Sequence, residues 1–315
     1  MTVIAYFITV LTWATTPLAI QWSGVGLHPL LGLSGRILIA VVLVRVLLRV
    51  LNISIQWDRL AVKNYMSGGL GLAGGLAFVY VGAAFIPSGL ISVLFGLSPA
   101  VSGLLAHYIL GDAAFRPLHW VAFALALLGL GVLSYEQLLV DMSALMGVAL
   151  VLVAVFLFSL SGVLVKRYQL ESHVISQTYG TLLFSLPVFL VLGLPHIAEA
   201  QWELVPVNTY LAIVYLAVAG SIIGMLSYFY ILRMLSPASV ALVTLMTPAI
   251  AMLLGALFNN EQVHAMTLVG VLFILAGLGL YIWENLGAQE AMLENASVVP
   301  ASPVIPAKAG IHAGK

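Results

Sequence analysis

The sequence predicts an all-α integral membrane protein in which ten transmembrane helices form two inverted five-helix repeats. Three observations lead to this fold class. The chain of 315 residues is 63% hydrophobic and only 7% charged, whereas soluble domains carry about 25% charged residues. Apolar stretches of membrane-spanning length follow one another along the chain, and one proline-containing stretch recurs half a chain later.

The apolar stretches set the number of spans, because a helix needs about 20 largely apolar residues to cross a bilayer. Ten spans are predicted, at 3–21, 30–51, 66–85, 89–110, 119–137, 144–165, 177–195, 208–232, 238–258 and 265–283. Only Ile86-Pro87-Ser88 separates the third span from the fourth. If these two were a single helix, the chain would have nine spans and every later loop would change sides.

The positions of the cations favour ten spans. Ten of the eleven Lys and Arg residues lie at or after the ends of even-numbered spans: Arg45, Arg49, Arg59, Lys63, Arg116, Lys166, Arg167, Arg233, Lys308 and Lys315. The alternate loops carry acidic residues and no cation. By the positive-inside rule, both termini are predicted to be cytoplasmic. A nine-span chain would scatter these cations over both sides.

A repeated segment divides the chain into two copies. Residues 84–112 align with residues 233–261 without a gap, and each is an apolar helix with a central proline and a terminal carboxylate. The aligned pairs are Ser98 with Thr247, Pro99 with Pro248, and Asp112 with Glu261. The copies are predicted at 1–138 and 144–284, with five spans each. An odd number of spans makes the second copy enter from the opposite side, an arrangement typical of transporters.

Composition and motifs exclude several classes of function. The net charge is zero, which argues against a nucleic-acid partner. The chain has no cysteine, which excludes disulfides, iron–sulfur clusters and cysteine-based zinc sites. There is no HExxH, GxSxG, paired DxxD or Walker motif, so an enzyme is not expected. No cofactor and no metal are expected.

The spans and motifs resemble the EamA-like family of the drug/metabolite transporter superfamily. The resemblance covers about residues 3–284. It rests on the architecture, Trp13, Arg36, the Ser-Pro and Thr-Pro helices and the glycine pairs at 129/131 and 277/279. The first copy departs from the family pattern because it ends in Asp112, where a glutamate is more usual.

The resemblance implies a central cavity lined by spans one to four and six to nine. Spans five and ten would be peripheral and would form the contact surface of a homo-oligomer. The resemblance further implies alternating-access transport of a small organic metabolite across a bacterial inner membrane, with export of an amino acid or related compound as the expected activity. Residues 287–315 are predicted to be a disordered cytoplasmic tail. The end of that tail resembles a translated dispersed bacterial DNA repeat.

The candidate cavity residues are prolines that free a backbone carbonyl, one intramembrane cation, and aromatic and hydroxyl side chains suited to a partly apolar substrate. They are Trp13, Thr16, Pro17, Arg36, Tyr80, Phe95, Ser98, Pro99, Ser161, Tyr179, Tyr228, Thr244, Thr247 and Pro248. The alternative for each proline is a structural kink. The alternative for the other side chains, apart from the cation, is helix packing or lipid contact.

Three charged or titratable positions leave alternatives open. Arg36 either faces the cavity and binds a carboxylate or phosphate, or snorkels to the outer interface. His107 either carries a proton in coupled transport or is a hydrogen-bonded interface residue. Asp112 and Glu261 lie at helix ends where the macrodipole disfavours an anion, so backbone N–H groups or a cation should compensate their negative charges. For both carboxylates a structural role is favoured over a gating role.

Two rival functions are weighed. A flippase or a carrier for a lipid-linked or nucleotide-linked molecule would share the architecture and, if it moves lipids, would need a groove open sideways to the bilayer. A membrane-embedded enzyme is less favoured, because the catalytic motifs above are absent.

Overall fold

The structure is a computed structural model and describes residues 2–111, 142–234 and 237–261, with parts of 117–132 and 265–284. The described chain is helical. Its principal helices are α1 (Thr2–Ser23), α2 (Pro29–Val50), α3 (Arg59–Gly82), α4 (Ser88–Phe95), α5 (Ser98–Leu110), α6 (Met142–Arg167), α7 (Val174–Gly193), α8 (Val207–Tyr215), α9 (Gly224–Met234) and α10 (Pro237–Asn259). A π-helical segment, Leu216–Ile223, joins α8 to α9.

Seven helical segments in the described residues are long and apolar enough to cross a membrane. They correspond to predicted spans one to four and six to eight, and α10 coincides with span nine. Residues 268–277 form a shorter apolar helix within predicted span ten. Most of predicted span five, together with Asp112 and the 287–315 tail, lies outside the described residues. The count of ten spans therefore stays a prediction.

The predicted separation of spans three and four is confirmed. Helix α3 ends at Gly82, a turn follows, and α4 begins at Ser88 with Pro87 as its N-cap. Proline is suited to this position because it cannot donate a backbone hydrogen bond to a preceding turn.

The two recurring proline helices are not identical. In the first copy the helix is interrupted after Phe95, and Pro99 lies in the first turn of α5, where a missing N–H costs nothing. In the second copy α10 runs continuously through Pro248. The first copy therefore has a broken helix where the second has a proline inside one helix.

Helices from one half pack mainly on helices from the other half. Helix α3 packs on α6 and α7, while α1 packs on α8, the π segment and α9. Helix α2 meets both α7 and the π segment, and α10 packs on α1 and α4. If the two halves are exchanged, the contact of α3 with α6 becomes the contact of α1 with α9.

Close helix contacts in α3 are made possible by glycine. A Cβ atom on Gly71 would overlap Ser161 of α6, and one on Gly74 would stand 2.6 Å from Leu157 Cδ1. Gly68 lies against Thr181 of α7 in the same way. Small residues let helix backbones approach where apolar burial alone gives no advantage over lipid.

Candidate functional site

A cavity of about 180 Å³ lies between the two halves. Each of the eight spans expected to surround it contributes to its wall. Nine of the fourteen candidate residues line it: Trp13, Thr16, Pro17, Arg36, Phe95, Ser98, Ser161, Tyr228 and Thr247. Ser98 and Thr247, the paired positions of the repeat, therefore face the same cavity.

Four of the other five candidate residues lie elsewhere. Tyr80 is fully buried behind the wall and contacts Arg36. Tyr179 packs instead beneath Arg45, whose guanidinium carbon is 5.8 Å from the ring centre. Pro99 and Pro248 follow cavity-lining residues without reaching the cavity themselves. Thr244 lies within α10, one turn before Pro248, and its side chain is outside the described part of the structure.

Arg36 is held inside the protein. Its side chain is 3% exposed. Its Nε donates to the Ser221 hydroxyl at 2.8 Å, and its Nη1 donates to the Tyr80 hydroxyl at 3.3 Å. No carboxylate in the described part of the chain forms an ion pair with it. A guanidinium has five N–H donors, and the two partners described for Arg36 are neutral hydroxyls. Because the residue is buried, snorkelling to the outer interface does not describe its position.

The π segment presents the Arg36 partner. Ser221 lies within Leu216–Ile223, and so does Gly220, where an added Cβ would stand 3.0 Å from Arg36 Nη2. A π turn inserts an extra residue into a helix and shifts the side chains that follow. Here it brings a hydroxyl and a bare backbone against the guanidinium.

Aromatic rings form one wall of the cavity. The ring of Trp13 lies 5.1 Å from that of Tyr228 and 5.8 Å from that of Phe158, while Phe95 and Phe158 are 5.9 Å apart. The contacts with Phe158 from Trp13 and Phe95 are edge-to-face, an arrangement that the ring quadrupoles favour. The wall offers apolar surface to the body of a ligand, next to the charge of Arg36.

Sequence reasoning missed several residues of this site. Phe158, Thr181 and Gly220 line the cavity, and Ser221 binds Arg36. The α3 glycines Gly68, Gly71 and Gly75 also reach the cavity wall, in addition to their packing role. In the sequence, Trp13–Gln21 resembles Phe158–Lys166, and this match between the two copies was the one signal that pointed to a second aromatic residue here.

Glu261 receives the compensation expected for a carboxylate at a helix C-terminus. It accepts hydrogen bonds from the backbone N–H groups of Ser88 at 3.0 Å and Gly89 at 3.3 Å, and from the Ser88 hydroxyl at 2.7 Å. These donors form the N-terminus of α4, whose dipole favours an anion. The contact sets α10 antiparallel to α4.

Further polar contacts close the same end of the bundle. Gln21 donates to the Ile86 carbonyl at 2.9 Å, and Asn259 donates to Gln21 at 2.8 Å and to Glu261 at 3.1 Å. The ends of α1, α3 and α10 and the start of α4 are thereby tied together.

His107 lies in the last turn of α5 and does not line the cavity. Its ring packs edge-to-face against Tyr108, with centres 5.2 Å apart. A role in proton coupling stays a prediction. In the described residues, no three His, Asp or Glu side chains are grouped to hold a metal ion.

A titratable cluster lies away from the cavity, at the start of α2. The rings of His28 and His196 are stacked with centres 3.4 Å apart, and His196 Nδ1 is 3.0 Å from a Glu199 oxygen. Burial lowers the pKa of His28, and the neighbouring His196 lowers it further, while Glu199 acts in the opposite direction. The hydrogen bond with His196 lowers the pKa of Glu199.

A second, more open cavity of about 620 Å³ lies on the other side of α1, between α1, α8 and α10. Thr15, Trp22, Tyr215 and Phe258 are among the residues in its wall. The Thr15 and Tyr215 hydroxyls are hydrogen-bonded at 2.6 Å. Helix α1 thus separates this groove from the cavity that contains Arg36.

Comparison with known proteins identifies a family domain in the second half of the chain. Residues 145–283 match the EamA-like transporter family. The second half of the chain is therefore an EamA-like domain. It therefore falls within the drug/metabolite transporter superfamily, and its membership indicates a transporter rather than an enzyme.

The similarity of this EamA-like protein to its relatives extends over both halves of the chain. It is 25% identical to the uncharacterized inner membrane transporter YedA of Escherichia coli K12, over 93% of this chain and 96% of YedA. It is 26% identical to the uncharacterized transporter YoaV of Bacillus subtilis, over 85% of this chain and 92% of YoaV. It is 24% identical to Protein PecM of Dickeya dadantii, over 69% of this chain and 72% of PecM.

A solved crystal structure shares the fold. It covers 89% of this chain and 96% of its own, with a TM-score of 0.62 and 18% sequence identity. At that identity the similarity shows the fold alone. The EamA-like protein is a multi-span membrane protein.

Proposed function

We propose that this EamA-like protein transports a small organic metabolite bearing a carboxylate by alternating access through the 180 Å³ cavity. The leading assignment is export of an amino acid or a related compound across a bacterial inner membrane. The observation that carries the proposal is Arg36, a buried cation that has only hydroxyl partners in the described chain and borders a largely apolar cavity.

Electrostatics supports an anionic substrate group. A charge inside a membrane protein is costly unless it is paired or solvated. A substrate carboxylate would pair with the guanidinium through short, charge-assisted hydrogen bonds. The aromatic wall of Trp13, Phe158 and Tyr228 would bury the apolar part of the same molecule.

The helix arrangement supports alternating access. The cavity lies between the two halves, and the pairings of α3 with α6 and of α1 with α9 exchange when the halves are exchanged. Such a relation is what an inverted repeat of ten spans requires. The proposal places both termini in the cytoplasm and the Glu261 contacts at the outer face, and leaves spans five and ten as the surface for pairing with a second copy.

Comparative metabolomics tests the function. Extracellular and intracellular metabolites are measured in cells that express the wild-type protein, Arg36→Ala or no protein, with equal membrane levels checked by immunoblot. A carboxylate that accumulates outside only with the wild-type protein supports the proposal. Equal accumulation with Arg36→Ala contradicts the role of Arg36, and no difference between expressing and empty cells contradicts export.

A flippase for a lipid-linked molecule is the second candidate, because the 620 Å³ groove between α1, α8 and α10 is open at the protein surface. Its substrate would enter from the bilayer. A scrambling assay with labelled lipids in proteoliposomes separates the candidates, since a carrier for a soluble carboxylate leaves the lipids unmoved.

A further inference from the structure

Two polar groups of the aromatic wall are unpaired and open to the cavity. The indole N–H of Trp13 and the hydroxyl of Tyr228 form no hydrogen bond in the described structure, and neither is among its enclosed unpaired atoms. Both residues line the cavity. A Cβ atom on Gly162, another residue of the cavity wall, would stand 3.6 Å from the Tyr228 hydroxyl. The two groups therefore face space that a ligand can occupy.

Two glycines of the second half show where the indole N–H lies relative to Arg36. A Cβ atom on Gly220 would stand 3.0 Å from Arg36 Nη2, which has no hydrogen-bond partner in the described chain. A Cβ atom on Gly224 would stand 3.6 Å from Trp13 Nε1. Residues four apart on a helix lie about one turn from each other, which is roughly 5–6 Å. The guanidinium and the indole N–H are therefore about one turn apart along the same wall.

The chemistry of these two groups selects the ligand atoms that can pair with them. An indole N–H and a guanidinium donate hydrogen bonds and cannot accept them. The described cavity wall contains no carboxylate. A ligand that pairs with both groups must therefore offer an acceptor atom to each. An ammonium group only donates, so it cannot pair with the Trp13 N–H.

The spacing places the two acceptors close together in the ligand. Each N–H···O hydrogen bond spans about 2.9 Å, so two such bonds take up most of a separation of roughly 6 Å between the nitrogens. The two acceptor oxygens are then near neighbours, as they are in a carboxylate and a carbonyl on the adjacent carbon. The apolar remainder of such a molecule would lie against the rings of Phe95 and Phe158, which line the same cavity.

We propose that Trp13 and Tyr228 form a second substrate subsite, which binds a carbonyl oxygen on the carbon next to the carboxylate held by Arg36. The Trp13 N–H donates to this oxygen. The Tyr228 hydroxyl, on a ring whose centre is 5.1 Å from that of Trp13, donates to it as well. The inference rests on the proposed function and narrows its substrate class to 2-oxo acids with an apolar side chain, ahead of the corresponding amino acids.

Three compounds with one carbon skeleton test the subsite. They are 4-methyl-2-oxopentanoate, 4-methylpentanoate and leucine, which share a carboxylate and an isobutyl group and differ only at carbon 2. Binding to the purified full-length protein is measured by titration calorimetry. The wild type should bind the 2-oxo acid roughly 3- to 10-fold more tightly than 4-methylpentanoate, the effect expected for a neutral hydrogen bond. It should bind leucine less tightly than the 2-oxo acid.

Phenylalanine variants keep a ring at each position and remove the donor. Trp13→Phe and Tyr228→Phe should lose the preference for the 2-oxo acid but retain binding of 4-methylpentanoate, which shows that the cavity is intact. Trp57→Phe and Tyr230→Phe are the matched controls and should keep the full preference. Trp57 is 53% exposed, Tyr230 lies on the same helix as Tyr228, and neither control residue lines the cavity.

The outcomes separate the subsite from the proposed function. The subsite is wrong if the wild type does not prefer the 2-oxo acid, or if leucine binds as tightly as that acid. It is also wrong if Trp13→Phe or Tyr228→Phe keeps the full preference, or if a control variant loses as much. The proposed function fails on a different measurement, because 4-methylpentanoate would then bind to Arg36→Gln as tightly as to the wild type, or to neither.

Discussion

The Nε atom of Arg36 donates a hydrogen bond of 2.8 Å to the hydroxyl of Ser221. The bond crosses from α2 in the first half of the chain to the π segment in the second. It fixes the plane of the guanidinium, so that the remaining N–H groups are available for an anion. The only charge in the described cavity wall is thus oriented by a residue of the opposite half.

Replacing Arg36 should weaken recognition of the proposed substrate carboxylate. Arg36→Ala should weaken binding of a transported acid by roughly 10-fold or more, the loss expected for a hydrogen bond to a charged group. Arg36→Lys should restore part of the affinity, because it keeps the charge but loses the planar fork. Uptake or counterflow in proteoliposomes measures the effect. Arg49→Ala, at the end of the same helix and outside the cavity, should behave as wild type.

Removing the negative charge of Glu261 should loosen the attachment of α10 to α4. Glu261→Gln keeps the side-chain size but weakens the contacts with Ser88 and Gly89. It should destabilise the protein by about 1–2 kcal/mol. A thermal shift assay should show a drop of roughly 2–4 °C in the melting temperature. Glu203→Gln, in an exposed turn, should leave the melting temperature unchanged, and an unchanged value for Glu261→Gln would contradict the attachment.

Acid should destabilise the region around His28. Its pKa is lowered from 6.5 by burial and by His196, so the folded protein binds fewer protons there than the unfolded chain. The stabilisation is present above about pH 6.5 and is lost as the pH falls toward the lower, folded-state pKa. Protonation also removes the Nδ1 acceptor that caps α2 through the Leu30 N–H.

Asparagine at position 28 tests this pH dependence, because it caps a helix without titrating. His28→Asn should flatten the melting temperature between about pH 5 and pH 6.5. His173→Asn is the control: His173 caps α7 through the Ile175 N–H in the same way, and no stacked histidine accompanies it in the described chain. A pH profile that keeps its slope in His28→Asn would show that another group is responsible.

The cavity should be reachable from water. The chain has no cysteine, so single cysteines at Ser98 and Thr247 can be labelled cleanly. Both should react with a membrane-impermeant thiol reagent from at least one side, and a transported acid should slow the reaction. Thr178→Cys, buried outside the cavity, should stay unlabelled. Protection of both cavity positions in every condition would contradict the assignment.

The sequence was sufficient to predict the membrane class, seven of the spans and the break before Ser88. Apolar length and the placement of cations are properties of whole segments, so they can be read without knowing the orientation of any side chain. The orientation of single side chains was not. A helix that is apolar all round gives no moment to show which face meets the cavity, so Tyr179 was assigned to the wall and Thr181 was overlooked. The π segment was unpredictable because it changes the register within one uninterrupted apolar run.

Helix α4 belongs to the first half by sequence but to the second half by attachment. Its start is fastened to Glu261 at the end of α10, while its other end is interrupted after Phe95. In the proposed alternating access, this eight-residue piece should move with α10, and Gly96-Leu97 should act as the hinge between α4 and α5. Spin-label distances should then stay constant between α4 and α10 and change between α4 and α5.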